Sequence, residues 1–288
     1  MTALYRKEMH QNFTSLPTYI FVAFLAAAGG FYFTIFNLRG LWPTFEDALI
    51  SISYIFLLTV PLLTMRTVTA ERTDRTDKLL FALPVSTSSI VLAKYLSLLT
   101  ILSIPTAILA LFPLILTFFG TVNLTTSYIA LLGFVLFAAT LLALGLFISS
   151  LTDNTTSAAI VCFGVLLIFY FINPIIGLMP ITAGVNLIVL STLAAGLGLG
   201  LFHFLGSIKA ALAIYGLLQA SLVALFFITP NFIELSLVRV LSAVDLVQRM
   251  SSFTHGLLDL TAIVYYMGAI VLLLLFTAIS LNTTRGRQ

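Results

Sequence analysis

The chain is dominated by a series of long apolar runs, each of about 20 residues, which are separated by short polar breaks. A helical run of this length matches the thickness of a bilayer core, and helices and closed barrels alone satisfy their backbone groups there. Of the 288 residues, 60% are hydrophobic and 8% are charged, against roughly 25% charged in soluble domains. The sequence therefore predicts an all-α polytopic membrane protein, with a single transmembrane domain over residues 1–288.

Six apolar runs are assigned as spans, at about residues 17–36, 48–65, 95–119, 128–150, 156–176 and 261–281. Residues 181–205 and 210–229 are each long enough to cross as well, which gives about eight transmembrane helices with both termini cytoplasmic. Glycines between residues 196 and 206 also permit a bend in the chain. The alternative is therefore six spans plus a re-entrant hairpin on the outer side.

The distribution of basic residues supports this orientation. The eight-span arrangement leaves three Lys and Arg residues outside, namely Arg39, Arg239 and Arg249. It places ten inside: Arg6, Lys7, Arg66, Arg72, Arg75, Lys78, Lys94, Lys209, Arg285 and Arg287. An excess of positive charge on the cytoplasmic side is what membrane insertion favours.

The longest polar break in the first half covers residues 66–94, here called the 66–94 loop, and carries five of the inner basic residues. Glu71 precedes Arg75 by four residues, and Asp74 precedes Lys78 by four, the favourable order for helical ion pairs. Thr69 is expected to cap this helix, and Pro84 to end it. A charge run of this kind also suits a solvated loop that only orients the protein.

Two other polar breaks are shorter or more apolar. Residues 230–260 space acidic and basic side chains among aliphatic ones, which predicts an amphipathic segment along the outer interface. Residues 151–155 form a tight inner turn that contains Asp153. Because that residue lies at a turn, we expect it to cap a helix and consider an intramembrane proton site the weaker alternative.

Catalytic and nucleotide-binding motifs are absent from the sequence. It contains no HExxH pair, no GxSxG elbow and no GxxxxGK[ST] loop, so we predict that the chain is not an enzyme and does not bind ATP through a P-loop of its own. Ionisable residues inside the spans are also nearly absent, which disfavours a transporter driven by protons or sodium. Any energy for transport is therefore expected to come from a cytoplasmic partner.

Several short motifs resemble those of the ABC type-2 permease family, especially the gliding-motility-like permeases of bacterial ABC exporters. They are RKE before the first span, PLLTMR at the end of the second, AERTDRTDKLLFALPVS, AK at the start of the third, and FISSLTDN between the fourth and fifth. The resemblance covers residues 1–177 and 240–288. The sequence departs from the family in TDRTD, where a Gly-Thr pair often stands, and in the long segment 178–229.

The resemblance implies the transmembrane subunit of an ABC exporter in the bacterial plasma (inner) membrane. Two permease chains, identical or different, would pair, and two separate ATPase subunits that bind ATP and Mg would dock beneath them; the chain itself would hold no cofactor or metal and bind no nucleic acid. The 66–94 loop would be the coupling loop, with Glu8 in a supporting N-terminal helix. Its ATPase contacts would be Glu71, Arg72, Asp74, Arg75, Asp77 and Lys78. The alternative is a secondary transporter or channel without an ATPase partner.

Overall fold

The computed structural model of the chain describes residues 2–40, 42, 44–73, 85–178 and 241–286, together with residues 184, 186, 187, 191, 192, 216, 219, 220, 238 and 239. Across these residues the regular elements are helices, without a strand, as the apolar runs predict. The helices are α1 (Thr2–Phe13), α2 (Leu16–Tyr32, continued by a π-helical segment Phe33–Arg39), α3 (Glu46–Ser53), α4 (Phe56–Thr64), α5 (Thr69–Thr73), α6 (Thr87–Leu116), α7 (Leu124–Leu151), α8 (Thr155–Leu178), α9 (Leu246–Thr254) and α10 (Leu260–Gly286).

Five of these helices are long and apolar enough to cross a membrane: α2 with its π-helical extension, α6, α7, α8 and α10. The bent pair of α3 with α4 and α5 makes a sixth candidate. These confirm a multi-pass helical membrane protein and match five of the predicted spans, or six if the bent pair is one span. The two further spans, and the outer hairpin that is their alternative, lie almost wholly outside the described residues and stay predictions.

The chain divides into two compact units. The first comprises residues 1–170 and 246–288, and the second comprises residues 171–245. In the described part of the second unit, the last turns of α8 continue through Pro174 to Leu178. The core and the candidate site described below belong to the first unit.

Helix α7 forms the centre of the first unit. In its most apolar stretch 78% of the residues are buried, against 22 to 33% in the other four single-helix spans. It packs against α3, α4, α6, α9 and α10. Phe134 and Phe137 of α7 lie 5.0 and 6.2 Å, between ring centroids, from Phe56 of α4, and all three rings are fully buried. A helix that is apolar on every side is expected at such a position.

The second span is broken near its middle. Helices α3 and α4 meet at a bend of 52° at Tyr54 and Ile55. The proline of this span, Pro61, lies inside α4, one turn beyond the bend. The sequence predicts a kink at Pro61, near the cytoplasmic end of this span, and that kink stays a prediction beside the observed bend. The hydroxyl of Tyr170 in α8 donates to the carbonyl of Ser53, which satisfies a backbone group freed by the break.

Polar side chains fix the beginnings of three long helices. Ser86 caps α6 by accepting from the backbone N–H of Ser89, at 3.3 Å. Asn123 caps α7 in the same way, and Asp259 accepts from Thr261 N–H at 2.9 Å before α10. These side chains satisfy backbone donors that have no partner within the helix.

Helix α9 is the described part of the predicted outer amphipathic segment. It buries Leu246, Met250 and Phe253 and exposes Gln248 and Ser251, so its apolar side faces the protein. Gly256 then ends it with φ +74°, a left-handed conformation that favours glycine. Residues 230–237 and 240 of the segment lie outside the described residues.

Two glycines allow neighbours of α7 to approach closely. A Cβ on Gly133 would lie 2.6 Å from Cβ and Cγ of Phe253, and one on Gly145 would lie 2.8 Å from Cβ of Thr64 and closer still to its hydroxyl. Close helix contacts at small residues are the usual means of association in membranes. The central position of α7 therefore depends on these two positions having no side chain.

We expect Gly145→Ala to lower the free energy of unfolding by about 1–3 kcal/mol, because the new methyl group overlaps fully buried Thr64. The measurement is thermal unfolding in detergent. Gly164→Ala in α8 is the matched control, since nothing lies within 4 Å of its added Cβ. Equal midpoints for the two variants would contradict the close packing of α4 on α7.

Candidate functional site

The amphipathic N-terminal helix α1 is held against the first turns of α6. The hydroxyl of Tyr5 lies 2.8 Å from that of Thr100, and the side-chain amide of Asn12 donates to Ser97 Oγ at 2.8 Å. Leu4 adds a small apolar contact with the same helix. These contacts place the buried side of α1, which carries Glu8, over the beginning of α6.

A buried ammonium group lies at this junction. Lys94 in the second turn of α6 is 2% exposed, and its Nζ lies 3.1 and 3.2 Å from the two carboxylate oxygens of Glu8. The same nitrogen lies 2.9 Å from Glu71 Oε2 and donates to the carbonyl of Thr67 at 2.8 Å. A buried charge is tolerated only when it is paired and hydrogen-bonded, and Lys94 meets both conditions.

The two carboxylates share a second cation. Lys7 Nζ lies 3.1 Å from Glu71 Oε1 and 3.7 Å from Glu8 Oε1, and its side chain is half exposed. Burial opposes the charge of Lys7, but Glu71 and then Glu8 outweigh it and raise the pKa of Lys7 above its ordinary value. Lys7, Glu8, Glu71 and Lys94, here called the ion-pair cluster, therefore balance two positive against two negative charges.

The turn between α4 and α5 is fixed by the inner end of α7. Ser149 of α7 is fully buried; its hydroxyl accepts from the N–H of Val68 at 3.2 Å and donates to the carbonyl of Met65 at 3.3 Å. Thr69, expected to cap α5, instead donates its hydroxyl to the same Met65 carbonyl, so that expectation is wrong. The chain therefore enters the 66–94 loop through a hydrogen-bonded turn that brings Glu71 under Lys94.

Arg72 turns to the other side of α5. Its Nη2 donates to the carbonyl of Ser150 at 2.8 Å, and its Nη1 donates to the carbonyl of Thr152 at 3.1 Å and to Asp153 Oδ1 at 2.9 Å. These groups lie at the carboxyl end of α7 and in the turn to α8. Arg72 with these three partners is here called the Arg72 latch.

The helix cap that sequence assigns to Asp153 belongs to the next residue. Asn154 Oδ1 accepts from the N–H of Thr156 at 2.9 Å, at the beginning of α8. Asp153 itself pairs with Arg72 through a side chain that is 93% exposed. Both residues act at the same turn, but capping needs an acceptor directly before the helix, and Asn154 holds that position.

Three of the sequence-predicted site residues are thus brought together. Glu8 and Glu71 bind the same ammonium group. Arg72, next to Glu71, binds the carboxyl end of α7. The remaining residues predicted to contact an ATPase, Asp74, Arg75, Asp77 and Lys78, lie outside the described residues, as do the two predicted ion pairs within the loop. Contact of any of the six with an ATPase stays a prediction.

Sequence reasoning missed Lys7 and Lys94 as partners in the site. Both stand inside short motifs, RKE and AK, that lie 86 residues apart at Glu8 and Lys94. The available signal is the position of Lys94 in an otherwise apolar helix, where a lone charge requires an opposite charge nearby. Which acidic residue pairs with Lys94 depends on the packing of α1, and the spacing of residues in the sequence does not reveal that packing.

We expect Lys94→Met to lower the free energy of unfolding by about 3–5 kcal/mol, because two buried carboxylates then lose their common cation. The double variant Glu8→Gln, Lys94→Met should lose less, since it removes one charge of each sign and leaves Glu71 with Lys7. Thermal unfolding in detergent measures both.

Arg6→Met is the matched control, because it removes an exposed cation one residue before Lys7. Its effect is expected within about 0.5 kcal/mol. A double variant at least as unstable as Lys94→Met would contradict the charge balance described here.

Comparison with known proteins was made on the whole chain. A family model described as ABC-2 family transporter protein matches residues 2–283. A search of curated proteins gave no match. The family match extends from the first residue of α1 into the last turns of α10, and it includes every residue of the ion-pair cluster and of the Arg72 latch.

Proposed function

The chain belongs to the ABC-2 family of transporter proteins, and from this membership we propose that it is the permease subunit of an ABC exporter in a bacterial plasma membrane. The family supports a permease subunit, multi-pass in the membrane, and implies association with ABC ATPase subunits. Export as the direction, the bacterial membrane and the coupling described next are parts of the proposal.

The observation that carries the proposal is the bridge between the two ends of the 66–94 loop. Glu71 lies near its beginning and Lys94 is its last residue, and their charged groups lie 2.9 Å apart at a position that is almost fully buried. A loop whose two ends are joined at one base is suited to transmit a displacement to the spans on both sides of it. Hydrogen bonds and ion pairs with two discrete arrangements are the usual carriers of such coupling.

We assign the six coupling residues two kinds of role. Glu71 and Arg72 fix the base of the loop through their contacts inside the permease. Asp74, Arg75, Asp77 and Lys78 contact the ATPase, and Glu8 supports the base from α1. ATP and Mg are bound by the ATPase, and two permease chains, in a homodimer or heterodimer, form the pathway.

In this mechanism, closure of the ATPases displaces the 66–94 loop. The second span ends at the beginning of the loop and α6 starts within it, so the displacement reaches both. The ion-pair cluster keeps Glu71 beside Lys94 during the movement, because separating them would leave buried charges without partners. The two spans are therefore driven as one body.

Charge reversal tests the ATPase contact. We expect the double variant Arg75→Glu, Lys78→Glu to lose its ATPase partner on purification, because the docking charges change sign while the buried cluster is untouched. The matched control is Arg285→Glu, Arg287→Glu, which makes the same change of charge in the C-terminal tail. Co-purification followed by intact-complex mass measurement reads both.

Retention of the ATPase by the loop variant, with the parent's stoichiometry, would count against the assigned contacts. A parent complex that contains no P-loop ATPase but still moves solute across vesicles would favour the secondary transporter instead.

The proposed orientation places the ion-pair cluster in the cytoplasm. In intact cells we expect a membrane-impermeant thiol reagent to modify Thr121→Cys, before α7, and to leave Leu151→Cys, at its other end, unmodified until the cells are opened. Both positions are exposed, and the only natural cysteine, Cys162, is buried. The reverse pattern of modification would overturn the orientation.

A further inference from the structure

We infer that Arg72 is a positioning residue that fixes the beginning of the 66–94 loop to the inner end of α7, so that α7 and α10 follow the loop when an ATPase displaces it. The inference rests on the proposed function and deepens it. It assigns Arg72 a mechanical task within the permease in place of a contact with the ATPase.

In the Arg72 latch, the two terminal nitrogens of one guanidinium group contact backbone carbonyls at the end of α7. The side chain is 13% exposed, and its two terminal nitrogens reach the carbonyls of Ser150 and Thr152 at 2.8 and 3.1 Å. The last carbonyls of a helix have no partner within it and attract cations. The planar guanidinium group reaches the two carbonyls through two different nitrogens held in a fixed geometry, which the single ammonium nitrogen of a lysine does not provide.

The ion pair in the latch is the lesser part of it. Asp153 lies 2.9 Å from Arg72, but its side chain is 93% exposed. Exposed ion pairs contribute little, because water and salt screen them. The two carbonyl contacts, which lie deeper in the protein, therefore hold α5 itself to α7, whereas Ser149 of α7 holds the turn before α5 through Met65 and Val68.

The last helix is joined to the same point. Ser280 of α10 donates its hydroxyl to the carbonyl of Ser150 at 3.1 Å, so α5 and α10 share one acceptor on α7. An open groove beside the latch is lined by Phe147, Phe276 and both charged side chains among others. The shared carbonyl of Ser150 links α5 to α10 through these two hydrogen bonds.

Adjacent residues of α5 thus bind different helices. Glu71 binds Lys94 of α6 and Lys7 of α1, and Arg72 binds the end of α7. A displacement of the loop is divided between these two attachments. An arginine that merely capped α7 would stabilise that helix without making its end move with α5, and this difference can be measured.

The experiment measures the distance between spin labels on Thr73→Cys of α5 and Leu151→Cys of α7. Both sites are exposed, and Cys162→Ala removes the natural cysteine. The complex of permease and ATPase is measured in lipid nanodiscs, first without nucleotide and then with MgATP plus vanadate. Labelled permease is diluted with unlabelled permease, so that each complex carries labels on one chain. A second pair, Thr73→Cys with Ser88→Cys at the beginning of α6, reports the attachment made by Glu71.

In the parent and in Asp153→Asn, we expect the Thr73–Leu151 distance to be the same with and without nucleotide. In Arg72→Lys the Thr73–Leu151 distance should shift with nucleotide by more than the width of the parent's distance distribution. The coupling constant between the nucleotide state and the position of α7 should fall by about tenfold. The Thr73–Ser88 distance should stay constant in all three.

A nucleotide-dependent Thr73–Leu151 distance in the parent, or a constant one in Arg72→Lys, would overturn the inference. An Arg72→Lys chain that keeps its ATPase and its Thr73–Ser88 distance is folded, which separates a lost latch from a lost structure. Failure of the proposed function looks different, since no ATPase would accompany the parent permease, and the latch would then have no displacement to transmit.

Discussion

The region where α1, α5 and α6 meet is arranged around one buried ammonium group, that of Lys94. Removing such a charge from water costs several kcal/mol unless acceptors replace the lost hydration. Here a carboxylate from α1 does so, together with a carboxylate from α5 and the backbone carbonyl four residues before it. Satisfying one charge of α6 therefore requires α1 and the segment that leads into α5 to be in place together.

The same requirement explains why the cluster has four members. Lys94 with two carboxylates carries a net charge of −1, which is unfavourable in a nearly dry site. Lys7 restores neutrality from a half-exposed position and retains its charge because the carboxylates raise its pKa. The cluster thus joins the buried ammonium group of Lys94 to the half-exposed one of Lys7.

Helix α7 has the complementary role of the central packing partner. Its middle is apolar and central, and glycines bring α4 and α9 close to it. Its inner end is polar, and Ser149, Ser150 and Thr152 offer groups to α4, α5 and α10. A helix that packs tightly in the bilayer and binds through hydrogen bonds at one end is suited to receive force there and pass it along its length.

Much of this architecture follows from the sequence. Long apolar runs predict the spans, because a helix satisfies the hydrogen bonds of its own backbone inside a bilayer. The basic residues of the 66–94 loop predict that it faces the cytoplasm. The position of the bend at Tyr54 does not follow from the sequence, because Pro61 is the residue of this span at which the sequence predicts a kink. Nor does the pairing of Glu8 with Lys94, because no local pattern specifies which distant charge will meet a lysine.

The separation of that pair along the chain, 86 residues, also orders the assembly of the protein. At about 5–20 residues per second, translation delivers Lys94 some seconds after Glu8 has left the ribosome. Until then α1 has only water to solvate its carboxylate, and two spans must enter the bilayer before its binding site exists. We therefore expect the N-terminal helix to attach only after α6, which carries Lys94, has been synthesised.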